Sequence, residues 1–358
     1  MSKPRIYLDH AATSPLRPEA KAAMEEGFAI WANPSSPHAE GRKAKQALED
    51  ARARVKAALG WDGEVIFTSG ASEALWIALN RAKVDRRIVS AVEHDAVFRA
   101  APDAEVVPID NHGLLRGGEL DYDILERDLS REGRALLAVQ HINPEVGSNW
   151  YWLKEDKFQT MASEANAILL ADCTQSAGKL DLPNVDMIAI SAHKFGGPVG
   201  AGALLVRDFN SLEPVGGHER GYRQGTENLP AVLGMAAALE CGDVEQWPTT
   251  REDRLKFTEA VRKTGQVVEP SQFCGSTGIL ALSHPTMSAQ AQLIRLDAKG
   301  FAVSAGSACS SGTLKKSRVL DAFGVPDDVA ARTIRVSMGW NTTPEELEAF
   351  AQAWASLS

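Results

Sequence analysis

Two residues that follow apolar runs could together hold a carbonyl cofactor. Asp172 ends the run AILLAD, and Lys194 follows the run MIAIS in MIAISAHKFGGPVGAG. A lysine amine among small residues can form a Schiff base, because partial desolvation lowers its pKa. The spacing of 22 residues (194 − 172) fits two successive strand ends of a parallel sheet. Alone, each residue has a simpler explanation: a solvated surface charge for Lys194 and a helix cap for Asp172.

A third group could bind an anion. The run VIFTSGASEALWIALN is typical of a strand that enters a helix through Ser-Gly-Ala-Ser at residues 69–72. Unpaired N–H groups at a helix start, together with the helix dipole, attract anions, although a capping serine with nothing bound is the simpler alternative. With Lys194 and Asp172, this segment supplies what pyridoxal phosphate (PLP) requires: a Schiff-base lysine, an acid for the ring nitrogen and a phosphate cradle. His94, in SAVEHDAV, could stack on the ring.

The elements that would position these residues alternate along the chain. Strands are predicted at residues 65–68, 88–92, 105–109, 135–140, 168–171, 187–191 and 203–206, separated for the most part by stretches long enough for a helix. A helix is predicted over residues 226–242. This order indicates an α/β fold with a mostly parallel sheet, in which ligands bind at the carboxyl ends of the strands. After a linker that contains Trp247 and Pro248, a second and smaller α+β domain is expected.

Composition narrows the class of protein. The 358 residues include 38 Lys and Arg against 47 Asp and Glu, a net charge of −9 without a basic tract, which disfavours nucleic-acid binding. No apolar window is long enough for a membrane span, and the amino terminus lacks a secretory pattern. The four cysteines, at positions 173, 241, 274 and 309, form no C-x-x-C pair, so no metal site is predicted. We expect a cytoplasmic protein with reduced thiols.

Several runs carry a family resemblance that covers nearly the whole chain. The matching stretches are YLDHAATSPLRPEA, NPSSPHAEGRKA, VIFTSGASEA, VEHDAV, ADCTQSAGK, SAHKFGGPVGAGAL, GGHERGYRQGTEN, AVSAGSACSSG and IRVSMGWNTT. The sequence resembles the cysteine desulfurases of the NifS/IscS type, in the class V aminotransferase-like group of PLP enzymes. The resemblance implies the aspartate aminotransferase-like fold of PLP-dependent transferases. We expect a PLP-binding large domain at residues 1–245, whose N-terminal segment can pack with a small C-terminal domain at residues 246–358.

The resemblance also implies a role for each matching residue. The cofactor would be bound by Lys194 covalently, Asp172 at the ring nitrogen, Gln175 at the ring hydroxyl, His94 on the ring face, and Ala71, Ser72, Ser191 and His193 at the phosphate. Thr226 would complete the phosphate site of a neighbouring subunit, which implies a homodimer. Arg335 would bind the substrate carboxylate, a task suited to its planar fork of donors.

The implied reaction converts L-cysteine to L-alanine. Lys194 would remove the Cα proton, and the thiolate of Cys309, in the Gly/Ser-rich run SAGSACSSG, would attack the substrate sulfur and become a persulfide. A sulfur-acceptor or scaffold protein for iron–sulfur clusters or thio-modified nucleosides would then receive the sulfur. The other three cysteines are expected to be packing residues.

One departure from the family lies near the substrate. The family usually has Asn-Asn-Glu-(Thr/Ile)-Gly where this chain has Asn143-Pro144-Glu145-Val146-Gly147, followed by the aromatic run SNWYW. Proline has neither an amide side chain nor a backbone N–H, so Asn143 or Asn149 could compensate. Two alternatives stay open: a selenocysteine lyase or related PLP lyase, and a weakly active homologue that serves as a binding or assembly partner.

Overall fold

The structure is a computed structural model that describes residues 5–110, 120–150, 153, 156–268, 278–305 and 317–357. In these residues the strands are β1 Ile6–Tyr7, β2 Glu64–Thr68, β3 Arg86–Ser90, β4 Glu105–Val107, β5 Ala135–Gln140, β6 Ile168–Asp172, β7 Met187–Ser191, β8 Gly202–Val206, β9 Gln266–Val267, β10 Ile279–Ser283, β11 Phe301–Ala302 and β12 Thr333–Ser337. The helices are α1 Pro18–Ile30, α2 Ala39–Ala58, α3 Ala71–Arg81, α4 Asp95–Ala100, α5 Tyr122–Leu129, α6 Asp156–Glu164, α7 Leu229–Glu240, α8 Arg251–Arg262, α9 Ala289–Ala298, α10 Arg318–Ala322, α11 Asp327–Ala330 and α12 Pro344–Ala355. None of the helices in the described ranges combines the length and the apolar character needed to span a bilayer.

The large sheet has the strand order β2-β8-β7-β6-β5-β3-β4 in the described part of the chain. β8 is antiparallel to both of its neighbours, and every other adjacent pair is parallel. The prediction of a mostly parallel sheet is therefore confirmed. Because the parallel strands share one direction, the carboxyl ends of β3, β5, β6 and β7 lie along one edge, and Gln140 pairs with Asp172 there.

Both faces of this sheet are covered by helices. Successive side chains of a strand point to opposite faces, so Ile188 and Ile190 join one core while Met187 and Ala189 join the other. Residues of α2 and α7 contribute to the first core, and residues of α3 and α4 contribute to the second. Strands buried on both faces explain why the sequence shows continuous apolar runs instead of alternating ones.

A second, antiparallel sheet in the C-terminal part pairs β10 with β9 and β12. Its core includes Leu280, Ile334, Phe350 and Trp354, which come from β10, β12 and α12. The N-terminal strand β1 pairs in parallel with β11, so the first described residues pack against this part of the chain. The division of the chain at residue 245 stays a prediction.

Three predicted elements differ from the structure by two or more residues at an end. β3 covers Arg86–Ser90 instead of residues 88–92. β4 stops at Val107, two residues early, because Pro108 has no N–H to donate to a neighbouring strand. The helix predicted from residue 226 begins instead at Leu229, because the Asn228 side chain caps it by accepting the Ala231 N–H at 3.3 Å. Thr226 thus lies in the loop before α7.

Candidate active site

Lys194 lies just beyond the carboxyl end of β7, in a single 3₁₀ turn, Ala192–Lys194. Its Nζ donates to the carbonyl oxygens of Ala11, at 2.7 Å, and Ala12, at 2.9 Å. Burial and, to a smaller extent, the positive charge of Arg335 lower the pKa of Lys194 to about 8, against the opposing effect of Asp172. At pH 7, a much larger fraction of the Lys194 amine is therefore neutral than in a lysine on the protein surface.

Asp172 and Gln175 lie beside this amine at the end of β6. Asp172 is 8% exposed, and its Oδ1 accepts the backbone N–H of Thr174 at 2.9 Å as well as the Thr174 hydroxyl. Gln175 donates from Nε2 to the Ala11 carbonyl at 2.9 Å, which is the oxygen that also holds Lys194. The Oε1 atom of Gln175 is buried and has no hydrogen-bond partner. Ala11 thus joins the two side chains, and the orphaned amide oxygen remains available to a ligand.

His94 caps the amino end of α4 at the same edge of the sheet. Its Nδ1 accepts the Ala96 N–H at 3.1 Å, so the neutral ring carries its proton on Nε2. The ring is reachable by solvent, but the surrounding protein still lowers its pKa through desolvation, and the Lys194 charge adds to this effect against Asp172. His94 is consequently a neutral imidazole near neutral pH.

The glutamate before His94 is a buried group that the sequence did not single out. Glu93 is fully buried, and its Oε1 accepts the Ser90 hydroxyl at 2.5 Å and the Gln140 N–H at 2.9 Å. Desolvation and, to a smaller extent, the nearby Asp172 charge raise the pKa of Glu93 to about 8, against the opposing effect of the Ser90 hydrogen bond. Glu93 is therefore mainly protonated at pH 7.

The segment predicted to bind a phosphate lies where two backbone segments approach closely. The loop before α3 meets the start of β8 so closely that a Cβ on Gly202 would lie 2.6 Å from the Cα of Gly70. Ser191, 5% exposed and paired with Gly202 across the sheet, brings its hydroxyl to the same place. Ala71 begins α3, and Ser72 follows it, exposed. Glycine at position 202 permits this contact, and the N-terminus of α3 lies beside the Ser191 hydroxyl.

His193 and Thr226 occupy different settings. The Nδ1 of His193 is 2.9 Å from the Thr13 hydroxyl, and burial, followed by the Lys194 and Lys179 charges, lowers the pKa of His193 to about 4. His193 could thus contact a phosphate only as a neutral donor. Thr226 is exposed in the loop before α7.

Arg335 reaches the site from β12 and is held by residues that the sequence reasoning missed. One guanidinium nitrogen donates to the Pro144 carbonyl at 2.9 Å. The other donates to Asp9 at 3.1 Å and to the Ser304 hydroxyl at 2.9 Å. Arg335 is 8% exposed, and its Nε is buried without a partner. Asp9 belongs to the family-like run YLDHAATS, which was the available signal for its role.

The hydrogen bonds that the Asn143 amide oxygen accepts lie within its own turn. Asn143 is fully buried, and its amide oxygen accepts the N–H groups of Glu145, at 2.8 Å, and Val146, at 3.0 Å. Its side chain therefore organises the turn, and its predicted substrate contact has no support in these bonds. Cys309 lies outside the described residues.

Comparisons with known proteins agree with this geometry. The aminotransferase class-V family model matches residues 6–350. A cysteine desulfurase from Rhodobacter capsulatus is 34% identical, over 97% of this chain and 94% of its own, and the cysteine desulfurase IscS of Dictyoglomus turgidum is 32% identical, over 96% and 92%.

Solved structures match as well. A NifS-like protein superposes with a TM-score of 0.84 and 28% identity, over 98% of both chains. The structure described as SspA in complex with cysteine superposes with a TM-score of 0.76 and 26% identity, over 94% of this chain and 100% of the SspA chain. Because the family model covers residues 6–350 and these relatives match over nearly the full length, the chain belongs to the class-V aminotransferase family.

Proposed function

We propose that the protein is a PLP-dependent cysteine desulfurase that converts L-cysteine to L-alanine. The observation that carries the proposal is the convergence of Lys194, Gln175 and Arg335 around the N-terminal segment at Asp9 and Ala11. The segment thereby joins an amine of lowered pKa to an arginine that can bind a carboxylate. Relatives with this name and a neighbour described in complex with cysteine support the choice of substrate.

The described residues fit PLP. The buried Gln175 Oε1 lacks a donor, as the acceptor for a ring hydroxyl would, and Asp172 offers a carboxylate at the end of β6. Ser191 and the N-terminus of α3 offer hydroxyl and N–H donors for a phosphate. When bound, PLP withdraws electrons from the substrate α-carbon. Lys194, Asp172, Gln175, Ser191 and His94 would hold it.

Proton transfer would fall to Lys194 and His94. The Lys194 amine has a pKa of about 8, so near neutral pH it can both take and return a proton. His94 offers an Nε2–H donor, because its Nδ1 is engaged by the Ala96 N–H. The two side chains affect each other's protonation, since the Lys194 charge lowers the pKa of His94.

Sulfur transfer is assigned to Cys309. Its thiolate would attack the substrate sulfur, so that a new S–S bond forms as the substrate C–S bond breaks. The electron pair of that bond stays with the carbon, which takes up a proton and leaves as alanine, while the enzyme keeps a persulfide. A sulfur-acceptor protein would remove the terminal sulfur and regenerate the thiol. We also place this chemistry in the cytoplasm, where the thiol of Cys309 would remain reduced between turnovers.

An exposed apolar surface at the end of α1 supports the homodimer. Phe28 and Trp31, at the end of α1, are 55% and 75% exposed and stack with ring centroids 6.1 Å apart. A Cβ on Gly27 would lie 2.6 Å from the Cα of Pro230, so this end of α1 packs directly on the start of α7. A second copy that covered these rings would lie against the start of α7, and the exposed Thr226 is in the loop that precedes this helix.

The dimer has its own test. Trp31→Asp should reduce the mass measured by sedimentation from that of two chains to that of one. Ile294→Asp, at a position that is 64% exposed on α9, is the matched control and should leave the mass unchanged. A wild-type protein that sediments as a monomer contradicts the homodimer.

The function is tested by turnover. Purified protein given L-cysteine and a reductant should release alanine and sulfide in equal amounts. Cys309→Ala should retain PLP absorbance and lose sulfide release, whereas Cys241→Ala should keep both. Normal turnover by Cys309→Ala refutes the nucleophile. PLP binding without any turnover by the wild type favours the assembly-partner alternative.

A further inference from the structure

The hairpin that contains Pro144 carries a polar side chain that the proposed function has not used. Residues 141–150 fold back on themselves: Asn143 donates its N–H to the Ser148 carbonyl at 2.9 Å, and Trp150 donates to the His141 carbonyl at 2.9 Å. These two bonds flank the pair formed by Ile142 and Asn149. That pair is therefore the non-hydrogen-bonded kind, in which the two side chains lie close together on one face.

This face packs against the segment that holds the Lys194 amine. Ile142 packs in a small apolar cluster with Ala11 and Ile279. The Ala11 carbonyl accepts from the Lys194 amine, and the Ala11 N–H donates to the Ser337 hydroxyl at 2.8 Å. Asn149, as the neighbour of Ile142, thus lies on the side of the hairpin that meets the reactive amine.

The same face is also turned toward Arg335. In the sheet of β10 and β12, Ile279 pairs with Ser337 and Ala281 pairs with Arg335. Paired residues and residues two apart share one face of a sheet, so Arg335 projects on the side from which Ile279 contacts Ile142. Asn149 is therefore placed between the elements that present Lys194 and Arg335.

Two donors in this region have no partner. Both amide atoms of Asn149 are buried without a hydrogen bond, and so is the Nε of Arg335. Buried polar atoms in folded proteins nearly always have a hydrogen-bond partner. The unpaired amide is therefore explained if a bound ligand supplies the missing partner. The ligand must accept from both groups, as a carboxylate does.

On the basis of the proposed function, we propose that Asn149 binds the α-carboxylate of the substrate amino acid beside Arg335. Pro144 has no amide for this contact, and its carbonyl is engaged by Arg335. Asn149 Nδ2 and Arg335 Nε would each donate to one carboxylate oxygen. The amide lost at position 144 relative to the family pattern would thus be replaced from the opposite arm of the hairpin.

The test compares binding of three small molecules to the holoenzyme. Asn149→Leu replaces the amide with an apolar side chain of similar size. In this variant, the KM for L-cysteine and the dissociation constant for L-alanine should both rise about tenfold or more. The kcat should change less than about threefold. Cysteamine, which lacks the carboxylate, should bind the variant and the wild type equally. Asn149→Ala serves as a second variant and should behave in the same way.

Ser148→Ala is the matched control. Ser148 directly precedes Asn149, and its hydroxyl is also buried without a partner. Because successive side chains of a strand point to opposite faces, Ser148 lies on the opposite face of the hairpin. It should leave all three constants unchanged. Thermal unfolding of the PLP-free protein should show Asn149→Leu at least as stable as the wild type, because an unpaired buried amide has been removed.

Several results would overturn the assignment: unchanged L-alanine binding in both Asn149 variants, an equal loss in Ser148→Ala, or an equal loss for cysteamine. Each of these comparisons is the ratio of a binding constant measured for a variant to the same constant measured for the wild type. Failure of the wild type to release alanine from L-cysteine would instead count against the proposed function and would not by itself bear on where the carboxylate binds.

Discussion

Replacing Lys194 with methionine in the PLP-free protein should stabilise it at neutral pH. Burial lowers the pKa of this amine from 10.5 to about 8, so the folded state disfavours the charged form. A shift of this size corresponds to about 3 kcal/mol at pH 7, where the amine is protonated in both folded and unfolded chains. Methionine fills a similar volume without a charge, and Lys194→Met removes this penalty.

The stability gained through Lys194→Met should decrease as the pH rises. Between the folded pKa near 8 and the unfolded value of 10.5, the wild-type folded state releases its proton while the unfolded chain still holds one, so wild-type stability increases. The penalty falls to about 1.4 kcal/mol at pH 9.5. The substitution also loses the hydrogen bonds to Ala11 and Ala12, which lowers the gain by about 1–2 kcal/mol at every pH.

Urea unfolding of the two PLP-free proteins at pH 7 and pH 9.5 measures this difference. We expect the advantage of Lys194→Met to decline by about 2 kcal/mol between the two values. Lys21→Met, on α1 with its side chain 71% exposed, is the control and should show no such decline. An advantage that is the same at both values, or one that grows with pH, refutes a lowered pKa for Lys194.

Three further substitutions test other contacts. Arg335→Lys keeps the charge but loses the planar fork, and the KM for L-cysteine should rise at least about tenfold; an unchanged KM would place the carboxylate elsewhere. Glu219→Gln weakens the buried bidentate pair with Arg52, whose two hydrogen bonds measure 2.7 and 3.0 Å. The unfolding free energy should fall by about 3 kcal/mol in urea titrations, and a loss of less than about 1 kcal/mol would contradict a strong contribution from this pair. Pro144→Asn should leave the rate of alanine formation equal or higher, whereas a sharp loss would mean that this corner has been retuned around proline.

Much of the fold could be predicted because the signals are local. Apolar runs of four to six residues marked the strands of the large sheet, and polar residues directly after them, Asp172 and Lys194, marked its carboxyl edge. Errors arose at the ends, where a single side chain decides. Pro108 ended β4, and the Asn228 cap moved the start of α7.

The contacts between distant segments could not be predicted in this way. The Lys194 amine is held by carbonyls 183 and 182 residues away, and Arg335 is held by Asp9, 326 residues away. Nothing in the local pattern around either residue specifies such a partner. Asn143 shows the converse: its type suggested a substrate contact, but the turn that it organises engages its amide oxygen.

By itself, the sequence determined the type of sheet and the positions of Asp172 and Lys194 near the carboxyl ends of two neighbouring strands, because strand periodicity and strand ends depend on residues that are close in sequence. Only the tertiary structure decided the protonation of Lys194 and Glu93, the residues that hold Arg335, and the unpaired amide of Asn149. The reason is physical: desolvation and hydrogen-bond pairing depend on what surrounds an atom in space, and these surroundings come from both ends of the chain.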